Sequence, residues 1–450
     1  MIEWLLTGPR WVWGYVGVLA CSMGVGCLSL YYPLPLETSS LTLIALCVIV
    51  SFNMLPIVVF SIAGIRRLPA PPDVTDPTRR VRFLVIIAAY NESRVIHNSV
   101  SSILGQDSRL SDRQLVVAFN GTDDTGLIAK RLGAEVISTP VPRCGKTQAI
   151  AYALAQIAPD PDRYVVILDA DNLTDPDFLD QLARVACVGA IAIQGNHRAL
   201  LASRNWISRG LAAGYAASSR LFNPGRARLL QSALLCGTGF AVREDVFRSL
   251  WSKIRTQTED IELNALLTLH YKSGVHWAQE AQFFDEKPDS IRIAIRQRVR
   301  WMVGHMRCFS IYALPLLKFG TTHRDFRALE LAAYYAVPWT ILLAALWLTV
   351  IFPVSLFDGL AIGGLAQQLS LSVSGIIGAY IVGMPLIGQV LANDRNPISP
   401  GNVVDFLIDA FSSALFALLA WPLAILLATL MLARDDWIFH TPHKAVKAPR

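Results

Sequence analysis

The sequence predicts a soluble α/β domain, with a mostly parallel sheet, between membrane-spanning helices at both ends of the chain. Of its 450 residues, 53% are hydrophobic and only 16% are charged, and the mean hydropathy of +0.42 is high for a soluble protein. Uncharged runs long enough to cross a bilayer occur near both ends. Between them, strand and helix patterns alternate at ordinary charge density, as in a parallel sheet covered by helices. This composition excludes a small secreted scaffold and a disordered chain.

Five uncharged runs are candidate spans: Trp11–Leu30, Leu41–Ile65, Leu331–Pro353, Leu371–Leu391 and Ala410–Ala433. Arginines follow the second run at positions 66, 67, 79, 80 and 82, whereas the loop between the first two runs carries only Glu37. By the positive-inside rule the soluble domain faces the cytoplasm. We therefore expect an integral protein of a bacterial inner membrane. Five spans would leave the basic tail outside, so five or six spans remain open.

Within the soluble domain, periodicity predicts strands over residues 81–89, 114–119, 135–138 and 164–169, and helices over 92–104, 125–132, 146–157 and 177–187. Ligands of such a sheet bind at the carboxyl ends of its strands. We divide the chain into two N-terminal spans (1–67), the cytosolic domain (68–290), an amphipathic interfacial segment (291–327), the C-terminal spans (328–433) and a basic tail (434–450).

The apolar strand that ends at Asp169 is followed by Ala170 and Asp171. Two hard oxygen donors at a strand end suit Mg²⁺ or Mn²⁺ that is already partly coordinated by a diphosphate. The alternative is a solvated turn, with Asp175 capping the next helix.

A second acidic group, Glu259 and Asp260 after Thr258, opens an apolar-periodic helix that runs to Tyr271. Acidic residues at this position can simply cap a helix and complement its dipole. One of the carboxylates can also serve as a general base toward a sugar hydroxyl, if the fold brings it beside the metal.

A third pattern places Gln297, Arg300 and Trp301 on one face of a helix. A roughly opposite apolar stripe consists of Ile291, Ala294, Ile295, Val299 and Met302, and Arg292, Arg296 and Arg298 are free to snorkel. The alternative is a basic interfacial helix without a catalytic role.

In order and spacing, these motifs together resemble the family 2 glycosyltransferases, from Phe83 to Trp301. Membrane-embedded members such as cellulose, chitin and hyaluronan synthases, and related exopolysaccharide or glycolipid synthases, are the most similar. The resemblance implies a GT-A-type, Rossmann-like domain, a UDP-sugar donor, Mg²⁺ or Mn²⁺ as cofactor, and a polysaccharide or lipid acceptor. Membrane lipid is a further expected partner, nucleic acid is not, and an accessory subunit stays open.

The resemblance also implies roles for individual residues. Asp169 and Asp171 would hold the metal, and Asp260 would be the catalytic base. Donor contacts would come from Ala89, Tyr90, Asn91, Glu92, Asn120, Lys146, Asp169, Asp171, Gln297 and Arg300. Acceptor contacts would come from Gly237, Thr238, Gly239, Glu259 and Trp301. For the two glycines, a tight turn before the strand at 240–242 is the alternative.

The chain departs from the family pattern after the second strand, where Val117-Ala118-Phe119-Asn120 lacks the usual acidic residue that reads uracil. Asn120, Asp123 or Asp124 could substitute, or Phe119 could stack on the base. Asp123 and Asp124 also fit the N-terminal cap of the helix at Thr125.

Other site types are excluded by spacing. Gly145-Lys146-Thr147 resembles the end of a phosphate-binding loop, but Pro140 occupies the position where that motif requires glycine. The seven cysteines include no C-x-x-C pair, so neither zinc nor a disulfide framework is indicated. The formal charge of +6 is assigned to cytoplasmic-side basic residues.

The sequence therefore predicts inverting transfer of a sugar to a growing β-linked polysaccharide, secreted through the protein's own helices. A single transfer to a lipid is the first alternative. A non-catalytic nucleotide-sensing membrane protein is the second.

Overall fold

A computed structural model describes residues 55–71, 80–107, 109–200, 205–346, 377, 379–392 and 400–432. The first predicted span, most of the second and the basic tail lie outside these residues. So do residues 347–376 and 378, which include the end of the third predicted span and the start of the fourth.

An eight-stranded mixed sheet forms the centre of the soluble domain. Its strands are β1 (Val81–Ala89), β2 (Ser111–Phe119), β3 (Glu135–Ser138), β4 (Arg163–Asp169), β5 (Leu173–Thr174), β6 (Ala192–Leu200), β7 (Phe240–Arg243) and β8 (Val275–Glu286), in the order β3-β2-β1-β4-β7-β6-β8-β5. The first four in this order are parallel, β7 is antiparallel to both of its neighbours, and β6 and β8 are parallel to each other. The prediction of a mostly parallel sheet is confirmed for β3, β2, β1 and β4, whereas the other half of the sheet is mixed.

The helices surround this sheet and continue beyond it. They are α1 (55–63), α2 (Ile96–Leu104), α3 (Thr125–Arg131), α4 (Lys146–Gln156), α5 (Phe178–Cys187), α6 (Trp206–Ala217), α7 (Asn223–Leu230), α8 (Glu244–Trp251), α9 (Glu259–Leu266), α10 (Ile291–His323), α11 (Phe326–Tyr335), α12 (Val337–Leu346), α13 (Met384–Ala392) and α14 (Pro400–Met431). The π-helical turns Ser218–Phe222 and Leu267–Tyr271 follow α6 and α9.

Both faces of the sheet are buried, which explains why its strands read as continuous apolar runs. In β1, Leu84 and Ile86 join the core with α4, whereas Val85 and Ile87 join the core with α2 and α5. The predicted strands and helices match those observed to within three residues, with one exception. The helix predicted from residue 92 begins at Ile96, because Asn91 has a left-handed φ of 55° and the chain turns there.

Helix α10 packs against α14, and this contact covers the apolar stripe that was expected to face the membrane. Val299 and Met302 lie against Ala424, Ile425 and Ala428 of α14. Arg298 does not snorkel. It is 2% exposed, and its Cζ lies 4.6 Å from the ring centre of Phe416 and 5.3 Å from that of Trp421. The snorkelling prediction is wrong for Arg298 because α14 occupies that side of the helix.

The segment from α6 to α7 joins the domain to the apolar helices, and the sequence did not indicate it. Arg209 pairs with Asp405 at 2.8 Å and also with Asp409, both on α14. Arg220 donates to the carbonyl oxygens of Gly64 and Leu391, at 3.0 and 3.2 Å. One face of the domain is thus bound to α1, α13 and α14.

Among the described residues, one helical stretch is long and apolar enough to cross a membrane, the 29 residues Val403–Met431 of α14. It contains most of the fifth predicted span. Leu331 and Tyr335 of α11, at the start of the third predicted span, belong to the hydrophobic core that also holds β1 and α4. The bounds of that span stay a prediction.

Candidate active site

The candidate site lies where β1, β2 and β4 end side by side. Ala88 pairs with Ala118 on one neighbouring strand and with Asp169 on the other, so the three carboxyl ends are level. The backbone N–H of Asp169 donates to Asn172 Oδ1 at 3.0 Å and to Thr238 Oγ1 at 2.9 Å. The end of β4 is therefore fixed by its own turn and by the loop before β7.

Asp171 lies in that turn, and two donors hold its carboxylate. Oδ1 accepts from Asn172 Nδ2 at 3.2 Å, and Oδ2 accepts from the backbone N–H of Glu286 at 3.3 Å. Asp169 is accessible, with 41% of its side chain exposed. These contacts do not fit the alternative of a loosely solvated turn.

Lys146, the first residue of α4, joins the separate motifs. Its Nζ lies 2.7 Å from Asp169 Oδ1 and 3.1 Å from Glu259 Oε1, and it donates to the carbonyl oxygen of Gly237 at 2.6 Å. Burial lowers the pKa of Lys146, but the two carboxylates raise it by a larger amount, so the pKa lies above its ordinary value. One ammonium group thus connects the Asp169 turn, the loop Gly237–Gly239, which we call the glycine loop, and the start of α9.

Asp260 lies at the same place. Its Oδ2 would be 3.4 Å from a Cβ on Gly237. Burial, assisted by the charge of Glu259, raises the pKa of Asp260 to about 7, although Lys146 and Arg300 act in the opposite direction. A carboxylate with this pKa is suited to take up a proton near neutral pH.

The capping interpretation of the acidic group is not supported at Thr258. Its side chain makes no capping hydrogen bond to α9, and it packs against α10, where a Cβ on Gly304 would lie 2.0 Å from its Oγ1. Glu259 is directed to Lys146. The acidic residues therefore connect two elements besides starting a helix.

Both glycines of the loop adopt a backbone conformation that fits a tight turn, whereas their contact with an acceptor stays a prediction. Gly237 and Gly239 have left-handed φ values of 78° and 65°. Gly237 faces Asp260, whereas a Cβ on Gly239 would lie 2.1 Å from Cε1 of Phe283, so Gly239 allows close packing. Thr238 is 4% exposed, and its hydroxyl holds the N–H of Asp169.

The ends of β1 and β2 form the other side of the site. Ala89 is buried, and Tyr90, Asn91 and Glu92 follow it, partly buried. Asn91 Oδ1 accepts from the backbone N–H of Thr122 at 2.8 Å, and the N–H of Glu92 donates to Thr125 Oγ1 at 2.8 Å. This half of the site is held largely by hydrogen bonds between the two loops.

Asn120 lies between these loops with a free acceptor. It is 5% exposed, and its Oδ1 has no hydrogen-bond partner within the described part of the chain. Asp123 is used structurally, because its Oδ1 accepts from the N–H of Thr125 at 3.0 Å. Asp123 thus satisfies the first N–H of α3, whereas Asp124, the N-cap residue, makes no side-chain capping hydrogen bond.

Helix α10 contributes Arg300 directly. The charge of Arg300 acts on Asp260, and its buried Nε has no hydrogen-bond partner among the described residues. Gln297 Oε1 accepts from Arg298 at 3.3 Å. Trp301 packs toward α14, with the Arg298 Cζ 5.1 Å from its ring centre. Arg300 is thus brought to the acidic residues, whereas Trp301 lies beside Trp421.

Asp169 and Asp171 fit a cation that arrives with phosphate ligands. Among the residues that the structure describes, no group of three or more His, Cys, Asp or Glu side chains could hold a metal ion by itself. Two carboxylates at one turn are sufficient for Mg²⁺ when a diphosphate supplies further oxygens. The residues fit a shared metal and do not fit an all-protein metal cage.

Sequence reasoning missed how the motifs are held together. Lys146 was expected near the donor, but its contacts to Glu259 and Gly237 depend on the fold of residues far along the chain. Asn172 was not predicted at all, although its amide contacts both Asp169 and Asp171. Its position one residue after the second aspartate was the available signal.

Comparisons with known proteins identify the family to which this chain is similar. The sequence model of a family described as "Glycosyltransferase like family 2" matches residues 80–304. Probable glycosyltransferase YdaM of Bacillus subtilis (strain 168) is 25% identical over 235 residues, which cover 49% of this chain and 54% of that protein. An uncharacterized glycosyltransferase of Mycobacterium tuberculosis (strain ATCC 25618 / H37Rv) is 35% identical over 98 residues, 22% of this chain and 43% of that protein. These matches span about half the length of the curated relatives.

Among solved structures, the mannosyltransferase PcManGT from Pyrobaculum calidifontis, in complex with GDP-Man and Mn²⁺, superposes with a TM-score of 0.46 at 19% identity. The match covers 83% of this chain and 99% of that one. Glucosyl-3-phosphoglycerate synthase from Mycobacterium tuberculosis gives a TM-score of 0.33 at 20% identity, covering 50% and 78%.

Proposed function

Because the chain belongs to the glycosyltransferase-like family 2, we propose that it transfers a sugar from a nucleoside diphosphate sugar to an acceptor hydroxyl with inversion at the anomeric carbon. The observation that carries this proposal is the contact of Lys146 with both Asp169 and Glu259. This contact joins the turn that carries Asp169 to the start of α9, where the proposed base Asp260 follows Glu259, and so supports a shared site. Enzymatic group transfer needs these parts at the same place.

Asp169 and Asp171 would hold Mg²⁺ or Mn²⁺ together with the donor diphosphate. The bound cation would stabilise the negative charge that develops on the departing diphosphate. Arg300 could also stabilise this charge. Its guanidinium is planar and presents several N–H donors to phosphate oxygens, and its Nε has no hydrogen-bond partner in the described residues.

Asp260 would act as the general base. It accepts the proton of the acceptor hydroxyl, and the resulting oxygen nucleophile attacks the anomeric carbon opposite the diphosphate. The carbon–oxygen bond to the acceptor forms while the bond to the diphosphate breaks, so an α-linked donor gives a β-linked product. A pKa of about 7 keeps much of Asp260 ionised at neutral pH while leaving it basic enough to accept the proton.

We further propose that the nucleotide is uridine and that Asn120 contacts its base. The buried Oδ1 of Asn120 can accept from the imino N–H of uracil, and its position at the end of β2 is where the family reads the base. The roles of Tyr90, Asn91, Glu92 and Gln297 in donor binding, and of Trp301 in acceptor binding, remain proposals.

For the acceptor, we propose a growing β-linked polysaccharide made at the cytoplasmic face of the membrane and secreted through the protein's own helices. A lipid acceptor that receives one sugar is the alternative. The contact between α10 and α14 supports an acceptor that approaches from the membrane side, because it joins the helix bearing Arg300 to the long apolar helix. Both versions share the chemistry at Asp260.

A screen of sugar nucleotides tests the proposal. Purified protein in detergent or nanodiscs, with Mn²⁺, is incubated with UDP- and GDP-linked sugars, and release of the nucleoside diphosphate is measured with and without a membrane lipid extract. Gel filtration of the product separates long chains from a glycolipid. Background release with every donor, with and without the extract, would refute the proposed function.

A further inference from the structure

A buried polar cluster, which we call the lysine cluster, lies behind the Asp171 turn and is not used by the proposed mechanism. It comprises His197, Tyr215, Asp285 and Lys287. Lys287 is 2% exposed and His197 is 5% exposed. Lys287 Nζ pairs with Asp285 Oδ1 and lies 3.3 Å from His197 Nε2.

The lysine cluster leaves Lys287 little freedom to move. His197 Nε2 lies 2.7 Å from Asp285 Oδ1, and the Lys287 ammonium lies 3.1 Å from the centre of the Tyr215 ring. The His197 ring stacks on Phe283 at 4.6 Å. A buried ammonium is costly unless its partners have good geometry, and here a carboxylate, an imidazole and an aromatic face surround it.

The cluster is connected to Asp171 through the backbone. Glu286 lies between the two fixed residues Asp285 and Lys287, and its N–H donates to Asp171 Oδ2 at 3.3 Å. Since the side chains on both sides of Glu286 are held, the direction of this N–H is held as well. A fixed donor favours one orientation of the Asp171 carboxylate.

The cluster is also connected to the helices that join the domain to the membrane side. Tyr215 belongs to α6, which contacts α14 so closely that a Cβ on Gly210 would lie 2.7 Å from the backbone of Ser412. The position of the Tyr215 ring over Lys287 therefore depends on how α6 docks on α14.

We propose that Lys287 is a positioning residue that orients Asp171 for binding of the divalent cation. The inference rests on the proposed function, in which Asp171 is a metal ligand. When a group that orients a metal ligand without binding the metal itself is lost, metal affinity typically falls by about 10–100-fold. If Lys287 acted only as a positive charge near the cation, its removal would instead strengthen metal binding, because like charges repel.

The sign of the change in metal affinity therefore tests the proposal. The full-length protein is titrated with Mn²⁺ in the presence of UDP, and free Mn²⁺ is followed by its electron paramagnetic resonance signal. Lys287→Met should weaken Mn²⁺ binding about tenfold or more. Lys253→Met, at an exposed position, is the matched control and should bind as the unaltered protein does.

A second pair of variants avoids a buried unpaired charge. Tyr215→Phe keeps an aromatic face over Lys287 and should retain Mn²⁺ affinity, whereas Tyr215→Leu removes that face and should weaken it. This pair decides the matter if Lys287→Met does not fold, as judged by its melting temperature. Equal or tighter binding by Lys287→Met, or equal binding by both Tyr215 variants, would overturn the positioning role alone. Absence of Mn²⁺ binding by the unaltered protein, with UDP or GDP, would overturn the proposed metal site and this inference with it.

Discussion

Replacing Glu259 by Gln should make the enzyme active at lower pH. The charge of Glu259 helps to raise the pKa of Asp260 to about 7, so its removal lowers that pKa. A unit charge about 6 Å away, at an effective dielectric constant of about 20, contributes roughly 3 kcal/mol, or about two pKa units. The Lys146 ammonium at 3.1 Å screens Glu259, so we expect a shift of about one unit.

The assay is the pH dependence of kcat/KM at saturating Mn²⁺. A general base must be deprotonated to act, so kcat/KM of the unaltered enzyme should fall as pH decreases through about 7. In Glu259→Gln this fall should occur at lower pH. Lys146→Met should move it to higher pH, because the variant loses a positive charge beside Asp260 and leaves Glu259 unscreened. Lys130→Met, at an exposed position on α3, serves as the control.

Opposite shifts in the two variants would be hard to obtain from general damage to the fold. An unchanged profile in Glu259→Gln, or a shift to higher pH, would refute the assignment of Asp260 as the base whose pKa Glu259 raises.

Three further predictions concern the metal site, the glycine loop and the contact of Asn120 with the nucleotide. Asp171→Asn should reduce Mn²⁺-dependent kcat by more than about 100-fold. Losing a residue that only orients a metal ligand costs about 10–100-fold, so a direct ligand should cost more. A titration of turnover with Mn²⁺ measures this. Gly239→Ala should lower the melting temperature more than Gly189→Ala. Both glycines have a left-handed φ, which costs alanine about 1–2 kcal/mol of folding free energy. Only at Gly239 would the added Cβ also collide, because it would lie 2.1 Å from Cε1 of Phe283. Equal melting temperatures would contradict the packing role. Asn120→Ala should weaken UDP binding by up to about tenfold, measured by calorimetry, and unchanged affinity would remove Asn120 from the base site.

Local sequence predicted much of the first half of the domain, because its signals are local. Burial on both faces made strands such as β1 and β4 continuous apolar runs, and turn residues marked their ends. The Asp169 and Asp171 pair could be placed by the same logic, because the carboxyl ends of parallel strands meet at one edge. The motifs that begin α9 and lie in α10 could be assigned to the same site only through the family resemblance. The position of Asp169 at the end of β4 follows directly from this pattern.

The rest depended on contacts between distant residues. Strand β7 enters antiparallel between β4 and β6, and nothing in its four residues specifies that direction. Arg298 was expected to snorkel, and only the presence of α14 on that face explains its burial. Lys146 was placed near the donor, but its contact with Glu259 requires α9 to pack beside the glycine loop. The docking role of α6 was missed because its partners lie far along the chain.

In the proposed mechanism, Asp260 takes a proton from the acceptor while the donor is held at the Asp169 and Asp171 turn. The most direct measurement compares donor-dependent release of nucleoside diphosphate by Asp260→Asn, Asp162→Asn and the unaltered enzyme, with acceptor and Mn²⁺ saturating. Asp162 is an exposed aspartate at the opposite end of the domain, just before β4, and its variant should keep full activity. Asp260→Asn should lose at least about 100-fold in kcat, as expected when a general base is removed. Release by Asp260→Asn at the rate of the unaltered enzyme would contradict the account.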